Sequence, residues 1–254
     1  MKWNRVVLPA IREIRFNRRP PRVEHTVFHT RSTDGVVLRC TVLGDNPRNA
    51  VVVAHPAIVG AYYHQVVTLA EEISRSFSTF IFDFRGHGGS TGRCQTGFEK
   101  ASEDLEAVID RVAEVGFGSI GVAGFSLGAA AGMLLAARRE CFGSLVSIGC
   151  PPRFPESLPL DGHPLIARAA LRVLGMRLDP EPDSGLSPLD VAATLPAIPK
   201  LMVFGEFEVA PPEEITAFYE LVTCPKQMLK VPGAWHADLK GKEREVREWF
   251  EETL

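Results

Sequence analysis

One serine in this chain stands in a setting suited to nucleophilic chemistry. It lies within Ile120-Gly121-Val122-Ala123-Gly124-Phe125-Ser126-Leu127-Gly128-Ala129-Ala130-Ala131, where an apolar run stops at a glycine and small helix-forming residues begin at once. That pattern describes a strand ending in a very tight turn that feeds a helix. Gly124 and Gly128 remove side chains where strand and helix would collide, and Ser126 is raised at the apex. The G-x-S-x-G spacing is that of a nucleophile elbow. The helix start behind Ser126 offers free N–H groups and the positive end of a dipole, which suit a developing oxyanion. The same residues also fit a glycine-rich turn carrying an N-cap serine. An acid and a histidine, in the right order and surroundings, would decide between the two.

The elements that must hold this serine show up as alternating periodicities. Residues 26–30 and 36–43 read as strands joined by Thr33-Asp34-Gly35, a hairpin signal, so the first two strands are expected to be antiparallel. Ala50-Val51-Val52-Val53-Ala54 is a continuous apolar run, as expected of a buried central strand, and it leads into His55-Pro56-Ala57-Ile58-Val59-Gly60. Residues 62–76 place Val66, Leu69, Ala70 and Ile73 at helical spacing. A buried strand at 79–84, a helix at 99–115, the elbow helix to about Arg139 and a strand at 145–148 follow. Such alternation implies an α/β fold, a mostly parallel central sheet with helices on both faces. Residues 151–199 break the rhythm. They are rich in proline, with one helical patch at 164–174, and read as a small lid inserted over the strand ends. The alternation resumes with a strand at 200–204, a helix at about 212–221, a strand at 227–231 and a charged helix from Leu239.

A chain of 254 residues fits one such domain, assigned to residues 23–254. Its hydrophobic content of 45% and charged content of 23% are ordinary for a soluble globular protein. A net charge of -3 argues against a nucleic-acid partner. No apolar run approaches the roughly 20 residues of a membrane span, and the first residues lack the core of a signal peptide. Cys40, Cys94, Cys141, Cys150 and Cys224 are scattered, without a C-x-x-C pair, so a cytoplasmic location is expected. No grouping of His, Asp and Glu has metal-ligand spacing, and neither metal nor cofactor is expected. Residues 1–22 differ from the rest, carrying Arg5, Arg12, Arg15, Arg18, Arg19 and Arg22 against Glu13 alone. Trp3, Val7, Ile11 and Ile14 fall near helical spacing there. One reading is an amphipathic helix in peripheral contact with an anionic membrane; the other is an arm packed on the body.

Four motifs in order, each at an expected strand end, carry a family resemblance. Gly124-Phe125-Ser126-Leu127-Gly128 matches the elbow, and Asp83-Phe84-Arg85-Gly86-His87-Gly88-Gly89-Ser90 is similar to a D-x-R-G-x-G-x-S loop. Gly205-Glu206-Phe207-Glu208-Val209-Ala210-Pro211 is similar to an acid turn that usually reads G-x-x-D before a proline. Pro232-Gly233-Ala234-Trp235-His236 is similar to a late histidine loop. On these residues the chain after Arg22 resembles the α/β-hydrolase superfamily. The resemblance implies Ser126 as nucleophile, His236 as general base and Glu208 as the acid that orients the imidazole. It implies an oxyanion hole made by the backbone N–H groups of Leu127 and Ala57. Two positions depart from the pattern. The acid is glutamate where aspartate is usual, with Glu206 as its rival, and Pro56 stands where glycine is common. Proline lacks a donor, but the hole needs the N–H of the next residue.

His55 and His87 are expected to hold loops together, and Arg85 to hold its own turn. His25, His29, His64 and His163 read as surface or loop residues. The expected function is a cofactor-free serine hydrolase that cleaves a small-molecule ester or thioester through an acyl-enzyme. Leu165, Ile166, Leu171, Val173 and Leu174 in the lid favour an apolar acyl group. Two alternatives stay open. One is a hydrolase-like scaffold that binds without turnover. The other is a peptidase of the proline-aminopeptidase type, with Glu181 and Asp183 holding the substrate amine.

Overall fold

The computed structural model describes residues 17–153, 176–182 and 185–254. Strands β1 (His25–Arg31) and β2 (Val37–Leu43) form the expected antiparallel hairpin. β3 (Asn49–Ala54) shows why its sequence is apolar throughout. Ala50, Val52 and Ala54 enter one core layer and Val51 and Val53 the other, so both faces of the strand are covered. The strands β4 (Ser78–Phe82), β6 (Ser119–Phe125), β7 (Ser144–Ile148), β9 (Lys200–Phe207) and β10 (Lys226–Trp235) complete the main sheet. Its order is β1-β2-β4-β3-β6-β7-β9-β10. β2 is antiparallel to both its neighbours, and every other adjacent pair is parallel.

Helices α1 (His64–Ile73) and α6 (Glu243–Thr253) cover one face, burying Val66, Leu69, Ile73, Val246 and Phe250. Helices α2 (Glu99–Ala113), α3 (Leu127–Arg138) and α5 (Pro212–Leu221) cover the other, with Leu105, Ile109, Leu134 and Phe218. Each such side chain contributes roughly 1.5–3 kcal/mol by leaving water. α3 is buried from Leu127 to Ala136, which accounts for its small and apolar composition without a polar face.

β4 lies on one side of β3 and β6 on the other. The crevice beyond the carboxyl ends of β3 and β6 is therefore the topological switch point, where doubly wound sheets take their ligands. Ser126 and the loop holding Ala57 both leave the sheet there.

Several boundaries differ from the sequence reading. β9 continues to Phe207 and β10 to Trp235, while the last helix begins at Glu243 rather than Leu239. Within residues 151–199, β8 (Leu178–Pro182) pairs in parallel with the short β5 (Cys94–Thr96), and α4 (Pro188–Val191) precedes β9. Two prolines made residues 178–182 read as loop, yet proline is tolerated where a strand has a free edge. The helical patch at 164–174, with Leu165, Ile166, Leu171, Val173, Leu174 and His163, lies outside the described residues, as do residues 1–16 and Asp183. The described end of the arm packs on the body. The Arg19 N–H donates to Tyr62 O (2.9 Å), the His64 N–H to Asn17 O (2.8 Å), and the Arg19 guanidinium grips both Glu71 oxygens at 2.7 Å. Among the described residues, no helix is long and apolar enough to cross a membrane.

Candidate active site

Ser126 sits between β6 and α3 with φ 47° and ψ -103°, a backbone conformation that costs a non-glycine residue roughly 1–3 kcal/mol. Its N–H donates to Ile148 O (2.8 Å) and its carbonyl accepts from the Ala130 N–H (3.0 Å), which holds the turn. A Cβ on Gly124 would stand 2.3 Å from the Gly128 carbonyl carbon, and one on Gly128 would stand 2.4 Å from Ala54 O. Strand and helix meet this closely only because both residues are glycine.

The acid and the histidine arrive from farther along the sheet. Glu208 follows β9 and His236 follows β10, whose last residues Phe207 and Trp235 pair in register. Since β7 and β9 lie between β10 and β6, the histidine loop must cross the end of β7 to reach Ser126. Two features let it do so. β10 shifts register between Val231 and Trp235. Gly149, just past β7 at φ 57°, leaves space that a Cβ would fill, 2.6 Å from Ala237 N.

His236 Nε2 then lies 2.9 Å from Ser126 Oγ, and its Nδ1–H donates to Glu208 Oε2. This places the proton on Nδ1 and the lone pair of Nε2 toward the serine. Glu208 is nearly buried, its side chain 5% exposed, and its other oxygen accepts the Gly205 N–H at 2.7 Å. Glu206 turns elsewhere. Its Oε2 accepts the Gly233 N–H (2.7 Å), while Lys240 Nζ donates to Gly233 O (3.0 Å). Glu206 therefore holds the strand leading to the histidine, not the imidazole. The Leu127 N–H begins α3 and has no acceptor within the helix. Ala57 is exposed in the loop between β3 and α1.

That loop is tied to the turn after β4. His55 Nδ1–H donates to Pro56 O (2.7 Å) and its Nε2 accepts the Phe84 N–H (3.0 Å). Asp83 accepts the N–H groups of Ala61 (2.8 Å) and Gly89 (2.9 Å). Arg85 is buried in its own turn. Its Nε and Nη2 donate to Asp104 Oδ1 (3.0 and 2.7 Å), its backbone N–H to Asp104 Oδ2 (2.8 Å), and its Nη1 to Asp34 (2.7 Å). Of the other histidines, His25 leans on Val23 O (2.9 Å), His29 is exposed on β1, and His64 packs against Tyr63. Among the described residues, no group of three or more His, Cys, Asp or Glu side chains is arranged to hold a metal. All five cysteines are free thiols.

His87 stacks edge-on against His55 at 4.9 Å and donates from Nδ1 to Arg85 O (3.0 Å). Burial, followed by the neighbouring His55, pushes His87 down to about 3, and burial lowers His55 as well. Both histidines are neutral in the folded protein and protonate more readily when it unfolds. Between pH 6.5 and about 3 the unfolded chain binds the extra proton, so stability falls with acidification, by roughly 1.4 kcal/mol per pH unit for His87. His55 adds to the loss in the same direction. Urea midpoints measured across this range are expected to drop steadily, and His87→Gln to flatten the slope. An equal slope in the variant would remove His87 from this account.

A sequence profile of the alpha/beta hydrolase family matches residues 51–254. The chain belongs to this family. This alpha/beta hydrolase is similar in structure to an esterase from Pyrococcus furiosus, with TM-score 0.74 and 18% identity over 91% of this chain and 92% of that one. It is similar to a carboxylesterase from Bacillus subtilis, with TM-score 0.72 and 15% identity over 97% and 96%. An alpha-beta serine hydrolase homologue from Coxiella burnetii gives TM-score 0.61 and 25% identity over 88% and 94%. No curated protein matches the sequence. The site of this hydrolase also depends on residues the motifs did not mark, namely Gly149 and Lys240. The only sequence signal for Gly149 was a glycine directly after an apolar strand.

Proposed function

We propose that this hydrolase cleaves ester or thioester bonds through an acyl-enzyme. The reading is carried by the hydrogen-bond relay from Glu208 through His236 to Ser126, lying at the switch point of the sheet. His236 Nε2 takes the proton of Ser126 Oγ as the oxygen attacks the carbonyl carbon. The negative charge on the carbonyl oxygen is received by the N–H groups of Leu127 and Ala57, and Glu208 stabilises the imidazolium. Collapse of the intermediate passes the proton from Nε2 to the leaving alcohol or thiol. Water then enters, is deprotonated by the same nitrogen, and releases the acid.

The substrate class draws support from two directions. The Pyrococcus furiosus and Bacillus subtilis neighbours are an esterase and a carboxylesterase. Beside the acid and the base, Phe207 and Trp235 form an exposed ring pair with centroids 5.2 Å apart, an apolar surface next to the reacting groups.

A fluorophosphonate probe tests the reading. The wild-type chain is expected to take one label per molecule and Ser126→Ala none, with p-nitrophenyl esters hydrolysed by the wild type only. Correctly folded wild-type protein that resists the probe would sink it in favour of a binding scaffold. A chain-length series of p-nitrophenyl esters and acyl-CoA thioesters then ranks the acyl group.

A further inference from the structure

We propose that the Ile58 side chain is a wall against which an apolar group flanking the scissile carbonyl packs, and so sets which esters this hydrolase prefers. The role rests on the acyl-enzyme reading above, in which the Ala57 N–H receives the carbonyl oxygen.

Ile58 combines two features that packing does not reconcile. Its backbone stands at φ 71°, in the left-handed region. A β-branched residue suits that region least, because its Cβ crowds the backbone, and glycine or asparagine would take the same turn with less strain. Yet no burial compensates. Ile58 is 37% exposed, against 4% for Val59 beside it and 1% for Ala61. Four non-glycine residues among the described ones have positive φ, namely Ile58, Ser126, Ala237 and Lys240. Three of them belong to the elbow and the histidine loop, where Ser126 meets His236 and Lys240 ties down Gly233. Strain held at such places points to function, and Ile58 is the β-branched member of the set.

The turn is pinned on both sides, which lets the strain persist. Before it, His55 bridges Pro56 O (2.7 Å) and the Phe84 N–H (3.0 Å). After it, Asp83 accepts the Ala61 N–H (2.8 Å), and a Cβ on Gly60 would stand 2.7 Å from the same carboxylate oxygen. A branched side chain on a fixed backbone has few rotamers, so it presents a preformed surface that loses little entropy when a ligand packs on it. Placement suits the substrate. The Ile58 Cα is roughly 3.8 Å from that of Ala57, so its side chain stands within reach of groups attached to a carbonyl held by the Ala57 N–H. Phe207, Val209 and Trp235 also expose apolar surface beyond the carboxyl ends of β9 and β10. Two groups of an ester fit against Ile58, the acyl chain and the alcohol.

Two ester series tell them apart, p-nitrophenyl acetate to hexanoate and methyl to hexyl acetate. If the wall meets the acyl chain, Ile58→Gly lowers kcat/KM about tenfold on p-nitrophenyl hexanoate and less than about twofold on the acetate. If it meets the alcohol, the same split separates hexyl from methyl acetate. Ile58→Ala is expected to follow Ile58→Gly, and Ile58→Val to keep the wild-type preference. A loss equal at every chain length in both series, or no loss, overturns the proposal. Thermal melts test the strain: Ile58→Gly is expected to melt at or above Ile58→Ala, since a left-handed backbone favours glycine. The reverse order also overturns it. Calorimetry in the Ser126→Ala background, which leaves the ester intact, reads binding without turnover. There Ile58→Gly weakens the Kd of the preferred hexyl or hexanoyl ester about tenfold. A chain that binds in this way but hydrolyses no ester fails the acyl-enzyme reading alone, while turnover with a flat chain-length response fails the role of Ile58 alone.

Discussion

Glu208→Gln is expected to lower kcat by about a thousand- to ten-thousand-fold with the fold intact. The reason lies in the second hydrogen bond of the acid. Glu208 Oε1 accepts the Gly205 N–H while Oε2 faces His236 Nδ1. A glutamine has one oxygen, and the Gly205 N–H requires it, so the NH₂ group is left facing Nδ1. That amide donates, which forces the ring proton onto Nε2 and removes the lone pair that must take the serine proton. Glu206→Gln is expected to change kcat less than about threefold, because a glutamine oxygen still accepts the Gly233 N–H. Turnover of p-nitrophenyl butyrate and the rate of fluorophosphonate labelling check both variants. The reverse ranking would make Glu206 the acid.

Asp104→Asn is expected to destabilise the protein by about 3–5 kcal/mol, toward the lower end of that range. The Asp104 carboxylate is wholly buried and accepts from Arg85 Nε, Nη2 and backbone N–H. Without its charge, a guanidinium whose side chain is only 7% exposed loses its main partner. Asp34 remains at 2.7 Å, but with its side chain 38% exposed it offers weaker compensation. For a domain of this size a loss at the lower end of that range, about 3 kcal/mol, corresponds to a fall in Tm of roughly 6–12 °C. The turn that Arg85 anchors also carries Asp83, which ties down the loop holding Ala57. Activity is therefore expected to fail below the global melting temperature in this variant. Thermal melts and residual activity after heating measure the two effects. A variant melting within a degree or two of the wild type would show the pair to be dispensable.

Local chemistry made much of this protein legible in its sequence. A strand buried on both faces must be apolar throughout, and a covering helix must repeat its apolar residues every three to four positions. Both patterns are complete within a few residues. The elbow is local in its spacing, since a Cβ on Gly124 would collide with Gly128 four residues on, although the space that Gly128 leaves is taken by Ala54 of β3. For the same reason the hairpin of β1 and β2 was readable from Thr33-Asp34-Gly35, while the proline-bearing β8 was not. Its partner β5 lies about eighty residues earlier, and nothing nearby marks the pairing.

What the tertiary structure decided lies between residues far apart. Glu206 and Glu208 are two positions apart, and the spacing of the acid turn favoured Glu208 with Glu206 as its rival. What brings Glu208 rather than Glu206 to the imidazole is where β9 ends, where β10 bends, and how Gly149 lets the histidine loop cross β7. Likewise the roles of Asp104 under Arg85 and of His55 under Phe84 follow from packing that no periodicity encodes. The sequence determined by itself the α/β alternation and the serine on its turn, because each is an interaction of neighbours. Only the fold brought Glu208, His236 and Ser126 into one relay, because their hydrogen bonds span 28 and 110 residues.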